Sequence, residues 1–161
     1  MSTKYHIPIL EYLTSRISSY SGSGTNADGM NFEAKLEIRS RVSDHLIELV
    51  FQAKDEDSAF HDEVTWITSD LMQDQVALWT VSTNTPGVLQ HELFQDEDDE
   101  IRERRMIFRL GAPEDTSQFR QEISLSFMRD GSVEYCYGWG VPHEKFAPRI
   151  RTVFRADQTN H

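Results

Sequence analysis

Cysteine is nearly absent: the 161 residues contain one, Cys136, so no disulfide closes within the chain and no thiolate metal motif can be assembled. A lone thiol suits a reducing compartment, and a cytoplasmic location is expected. Long apolar runs are missing too. No stretch reaches the length of a membrane-spanning helix, and the start lacks the basic segment and apolar run of a secretory signal. Positive charge is in deficit, with 16 Lys and Arg against 27 Asp and Glu and a formal net charge of −11. Such a field repels a phosphate backbone, so nucleic acid is not an expected partner and neither is membrane insertion. Arg102, Arg104 and Arg105 form the one basic cluster, but Asp96 to Glu100 lies immediately upstream and offsets it, as in a solvated charged hairpin.

Aromatic residues are plentiful. Nine Phe, five Tyr and three Trp supply enough apolar area for a core in a chain of this length without disulfides or structural metal, and one domain over 1–161 is expected. Ile9, Leu10, Leu13 and Ile17 recur at helical spacing, which predicts a short amphipathic helix over about 7–17 with Pro8 in its first turn. A Ser- and Gly-rich stretch, 18–24, ends it and predicts a turn or an irregular first strand. Alternation then takes over. Met30, Phe32, Ala34, Leu36, Ile38 and Val42 share one face, opposite Glu33, Lys35, Glu37 and Arg39. Further strands are predicted over 45–53, 59–68, 76–83, 88–95, 101–110, 119–128, 132–139 and 150–154, and Asp130-Gly131 predicts a tight primed hairpin turn. About nine strands with short links form an antiparallel up-and-down meander. In so small a domain this sheet must close to hide its edges and one apolar face. The expected fold is therefore all-β with a short N-terminal helix, the barrel spanning about 20–155 ahead of a short tail.

Residues able to carry chemistry cluster in Phe60-His61-Asp62-Glu63. Alternation puts His61, Glu63, Thr65 and Ile67 on one face and Asp62, Val64 and Trp66 on the other, without fixing which is internal. His91, between Leu89 and Leu93, shares an apolar face. Further along the chain, Arg120 and Glu122 share a face, and the final strand offers Arg149 and Arg151. Together with Trp79, Trp139, Tyr135 and Tyr137, such a set can orient a small ligand with a carboxylate or phenol end. The rival account is that these groups pair with one another at a barrel mouth or face solvent. His61, Glu63 and His91 are suitable ligands for a divalent ion, but no spacing motif joins them, and no metal is expected. Cys136 stands in an aromatic strand with no adjacent base and reads as core packing. Ser21-Gly22-Ser23-Gly24 has no following Lys and no βα unit, so it is not a phosphate loop.

The order of these features, from the Gly-containing opening at Ser21-Gly22-Ser23-Gly24 through Phe60-His61-Asp62-Glu63 to Tyr135–Trp139 and an Arg-bearing last strand, resembles calycin-type barrels. That group includes lipocalins, fatty-acid-binding proteins and nitrobindin-like proteins, and the resemblance covers Tyr20 to Arg155. It implies a cavity for a small, largely apolar ligand, with Arg149 or Arg151 anchoring its polar end. No Trp follows Gly22 or Gly24 as in the lipocalin Gly-x-Trp motif. Pro148 and Arg149 stand where nitrobindin-like proteins carry the haem-binding His, so no haem or other cofactor is expected.

The leading expectation is non-covalent binding of a small hydrophobic or amphipathic molecule, with His61, Glu63, His91, Trp79, Arg120, Tyr137 and Arg149 as contacts. No residue is assigned a catalytic role. The alternatives are an isomerase or lyase using His61 and Glu63 as acid and base, and an interaction module whose barrel is filled by its own side chains. Self-association is compatible with all three.

Overall fold

A computed structural model describes residues 6–54 and 59–158. Helix α1 (His6–Thr14) is followed by ten antiparallel strands: β1 (Ser18–Thr25), β2 (Asn31–Arg41), β3 (Leu46–Lys54), β4 (Ala59–Asp70), β5 (Gln75–Ser82), β6 (Thr85–Glu97), β7 (Arg102–Leu110), β8 (Arg120–Met128), β9 (Val133–Gly140) and β10 (Ala147–Ala156). Each strand pairs with the next, and β1 also pairs with β10, so the sheet closes into a barrel without edges. The expectation of an all-β, up-and-down barrel behind a short helix holds, with ten strands in place of about nine.

The additional strand is the Ser- and Gly-rich segment. Tyr20 sits opposite Leu36 of β2 and Ala156 of β10, so β1 is the seam of the barrel. Its small residues serve close packing. A Cβ on Gly24 would stand 2.5 Å from the Phe32 ring, and one on Gly22 would collide with the Val153 carbonyl.

Alternation places Leu36, Ile38, Ile47, Leu49, Phe51, Ile67, Phe108, Phe127 and Phe154 inside, almost without solvent exposure. Each such side chain contributes about 1.5–3 kcal/mol of hydrophobic stabilisation. Met30 and Val42, expected on the same face as Phe32, lie beyond the ends of β2 and are exposed. Val42, Ser43 and Asp44 instead form the β2–β3 turn, all with positive φ (53°, 53° and 66°). At Asp130-Gly131 only Gly131 has positive φ (88°). Its N–H donates to the Met128 carbonyl and the Met128 N–H to that of Ser132. This is a longer loop closed by a glycine bulge, not the two-residue primed turn the dipeptide suggests.

Helix α1 plugs one end. Ile9, Leu10 and Leu13 join the core, while Tyr12 meets Phe127 edge-on (5.3 Å between centroids) and lies under the Arg104 guanidinium. The helix stops at Thr14, whose hydroxyl donates to the Leu10 carbonyl, so Ile17 falls in the link and is exposed rather than extending the apolar stripe. Across the charged β6–β7 hairpin, Arg104 pairs with Asp96 (2.6 Å) and Arg102 with Asp99 (2.7 Å), the self-compensation expected of a solvated hairpin. No helix among the described residues is long and apolar enough to cross a membrane.

Candidate functional site

The end opposite α1 is open. There, the beginnings of β4, β6, β8 and β10 meet the ends of β5 and β9 around a cavity of about 320 Å³. The β4 face left ambiguous by alternation is settled by burial: His61, Glu63, Thr65 and Ile67 point inward, while Asp62, Val64 and Trp66 point out.

Glu63 forms the floor. Its side chain is 3 % exposed, and it is surrounded by hydrogen-bond donors. Tyr135 reaches across the lumen from β9 and donates its hydroxyl to Oε1 (2.6 Å), and Thr65 donates to the same oxygen (2.9 Å). Tyr137 donates to Oε2, and the His61 Nε2 lies 3.3 Å from it. Behind them, the Thr80 hydroxyl is 3.1 Å from that of Thr65. Asn84 Nδ2 lies 3.0 Å from His61 Nδ1. With the amide donating to Nδ1, the imidazole proton sits on Nε2 and points at the carboxylate. Four donors converge on two oxygens, the number a carboxylate can accept, which explains how the group is tolerated inside a barrel. Burial, followed by the adjacent Glu63 charge, raises the Tyr135 phenol well above the usual tyrosine range, so it serves as a donor at all ordinary pH values.

His91 is fully buried one strand further round and does not line the cavity itself. Its Nε2 donates to Gln121 Oε1 (2.8 Å), and Gln121 is a cavity residue. Burial lowers the His91 pKa, outweighing the Gln121 bond and the Glu63 charge, both of which act the other way. Its Nδ1 has no hydrogen-bond partner among the described residues. Above this polar floor the walls are apolar, with Leu89, Phe119, Trp139, Val141 and Ile150.

The remaining sequence candidates fall elsewhere. Trp79 is on the outside of β5, opposite Trp66 and beside Val64, Val81 and Val88 in an outer groove. Arg120 is completely buried, but its guanidinium sits outside the barrel wall. It donates to the carbonyls of Pro113, Gln118, Val141 and Glu144, clamping the two loops at the mouth. Gly140, opposite Arg120 in register, leaves the space it fills. Arg149 lies 5.3 Å from the centre of the Trp139 ring and donates to the Trp139 carbonyl. Arg151 points away from the lumen and pairs with Glu134 (2.7 Å). Cys136, read from sequence as core packing, is on the outer face of β9 because Tyr135 and Tyr137 take the inner one. Burial and the nearby Glu134 push its thiol up to about 12. No cluster of metal-binding side chains occurs among the described residues.

Asn84, Thr80 and Gln121 were not singled out in the sequence. Each is polar on a strand or turn far from His61 in sequence; the β4–β5 pairing brings Thr80 and Asn84 beside it, and closure of the barrel brings Gln121 to the same cavity.

No family model matches the chain, and no curated protein does. Several solved structures share the fold, two of which illustrate it. Rv2717c from M. tuberculosis aligns over 94% of this chain and 98% of its own, with a TM-score of 0.66 and 11% identity. The S-type phycobiliprotein lyase CPES from Guillardia theta aligns over 99% of this chain and 97% of its own, with a TM-score of 0.55 and 12% identity. At these identities the likeness is one of architecture.

Proposed function

We propose that this chain binds a small, largely apolar molecule with a polar end, non-covalently, in the mouth cavity. The observation that carries the reading is the contrast between the two halves of the lumen. The half beneath α1 is filled by aliphatic and phenyl side chains, whereas the open half keeps about 320 Å³ above a buried polar floor whose Glu63 carboxylate is fully hydrogen-bonded. A volume at the lower end of the range for small-molecule sites, apolar walls and a few convergent polar groups are the usual attributes of such a site. Ligand contacts are assigned to Tyr137, Gln121, His61 and Trp139, with Glu63 acting mainly through the groups it orders. An interaction module with a filled barrel fits less well, since the mouth is not filled.

A second reading has one observation in its favour. His61, Glu63 and Tyr137 form a hydrogen-bonded chain from the floor to the cavity, the arrangement a proton-transferring isomerase or lyase would use. The saturation of both Glu63 oxygens argues for binding over catalysis, because a general base needs a free lone pair toward its substrate.

Native mass spectrometry of the purified protein, against its denatured mass, tests the binding reading. An adduct in the native spectrum, absent from a Leu89→Trp variant that fills the cavity, is the expected result. An adduct retained by that variant places the ligand elsewhere and overturns the assignment of the site.

A further inference from the structure

We infer that the cavity selects a ligand presenting positive charge or N–H donors to the floor, such as a flat aromatic amidine or protonated heterocycle, and discriminates against carboxylates. This rests on the binding role proposed above and specifies its ligand, reversing the polarity that arginine anchors would imply.

The charges come first. Glu63 is the one acidic lining residue, and no Lys or Arg lines the cavity among the described residues. The three arginines adjacent in sequence to lining residues are committed elsewhere, Arg120 to four loop carbonyls, Arg149 to Trp139 and Arg151 to Glu134. A ligand carboxylate would therefore meet a buried negative charge with no guanidinium to offset it.

Hydrogen-bond direction points the same way. The Tyr137 proton is directed at Glu63, so the lone pairs of its oxygen are what it offers the cavity. One N–H of the Asn84 NH₂ is used on His61, which leaves Oδ1 as an acceptor beside the second N–H. Gln121 accepts from His91 and retains both N–H donors of its NH₂. The amides of Asn84 and Gln121 and the hydroxyls of Thr80, Ser82 and Thr85 serve as donor or acceptor, so the sign of the selection is set by the Glu63 charge and the Tyr137 acceptor, and the Phe119 and Trp139 walls suit a planar ring.

The test is equilibrium titration of the full chain, followed by tryptophan fluorescence and calorimetry, with naphthamidine, naphthoate and the uncharged probe aminoanthracene. At an effective dielectric constant near 20, repulsion of the acid by a like charge about 6 Å away corresponds by itself to a preference of roughly 100-fold for the amidine, and attraction of the amidine adds to it. Glu63→Gln, which keeps the side-chain length, is expected to reduce that preference at least about 10-fold. Thr85→Lys, at the half-buried rim, is expected to reduce it without disturbing the floor, and decides the matter if Glu63→Gln unfolds. Naphthoate binding as tightly as naphthamidine overturns the inference, as does a preference that neither variant changes. Binding of aminoanthracene with no charge discrimination leaves the binding role standing and removes this inference alone. Failure of all three probes removes both.

Discussion

Replacing Tyr135 with Phe removes one atom from the centre of the site. The Tyr135 ring is buried against Phe51 (5.5 Å between centroids) and Tyr137 (5.0 Å), and those contacts survive the substitution. What disappears is the 2.6 Å donation to Glu63 Oε1, leaving that oxygen with Thr65 alone. A hydrogen bond to a buried charged acceptor contributes about 1.5–3 kcal/mol. With about 2–4 °C of melting temperature per kcal/mol in a domain of this size, Tyr135→Phe should melt roughly 3–12 °C lower. Urea unfolding followed by tryptophan fluorescence measures the change, and a double-mutant cycle with Glu63→Gln isolates its cause. If the phenol acts through the carboxylate, Tyr135→Phe should cost at least about 1 kcal/mol less in the Glu63→Gln background. Additivity within about 0.5 kcal/mol would refute the network as described. The alkaline limb gives a second check. The folded-state pKa of Tyr135 is raised, so its contribution is fully present below the unfolded value near 10 and is lost as pH climbs above it. Wild-type stability should fall more steeply above about pH 10 than that of Tyr135→Phe.

Three other predictions follow from the same geometry. The lowered folded-state pKa of His91 means that the unfolded chain takes up the proton first as pH falls, so stability declines below about pH 6.5; His91→Gln should flatten that decline in urea titrations from pH 7 to 5. Val42 holds a β-branched, exposed side chain at φ 53°, and Val42→Gly should raise stability by about 1 kcal/mol in the same assay; a loss would mean that the turn is not as described. Cys136, with its thiol pushed up to about 12, should react with iodoacetamide at pH 8 at least about 10-fold more slowly than a free thiol in unfolded protein, and reaction at equal rates would contradict its surroundings.

Much of the barrel was legible because a sheet wet on one face writes its register as alternation. Phe32, Ala34, Leu36 and Ile38 identify β2, and the same rule made His61, Glu63 and Thr65 a single face. β1 was illegible as a regular strand. Ser21, Gly22, Ser23 and Gly24 carry no apolar period, and the requirement for smallness comes from Phe32, across the β1–β2 pairing, and from Val153, which neighbours Gly22 only after closure. The site was half legible for a related reason. His61, Glu63 and Tyr137 could be named as candidates, but the bond between Tyr137 and Glu63 crosses the lumen between strands 74 residues apart. Alternation fixes which way a residue faces, not what it will meet. Arg120 misled because outward-facing arginine on a strand gives no sign that loops 111–118 and 141–144 will fold over it.

The central claim, that the open half of the lumen is a binding site, is tested most directly by titrating aminoanthracene against the wild-type chain and Leu89→Trp, with circular dichroism establishing that both are folded. The account predicts saturable one-to-one binding to the wild type and loss of at least about 10-fold in affinity when the cavity is filled. Absence of saturable binding, or equal affinity in the filled variant, would contradict it.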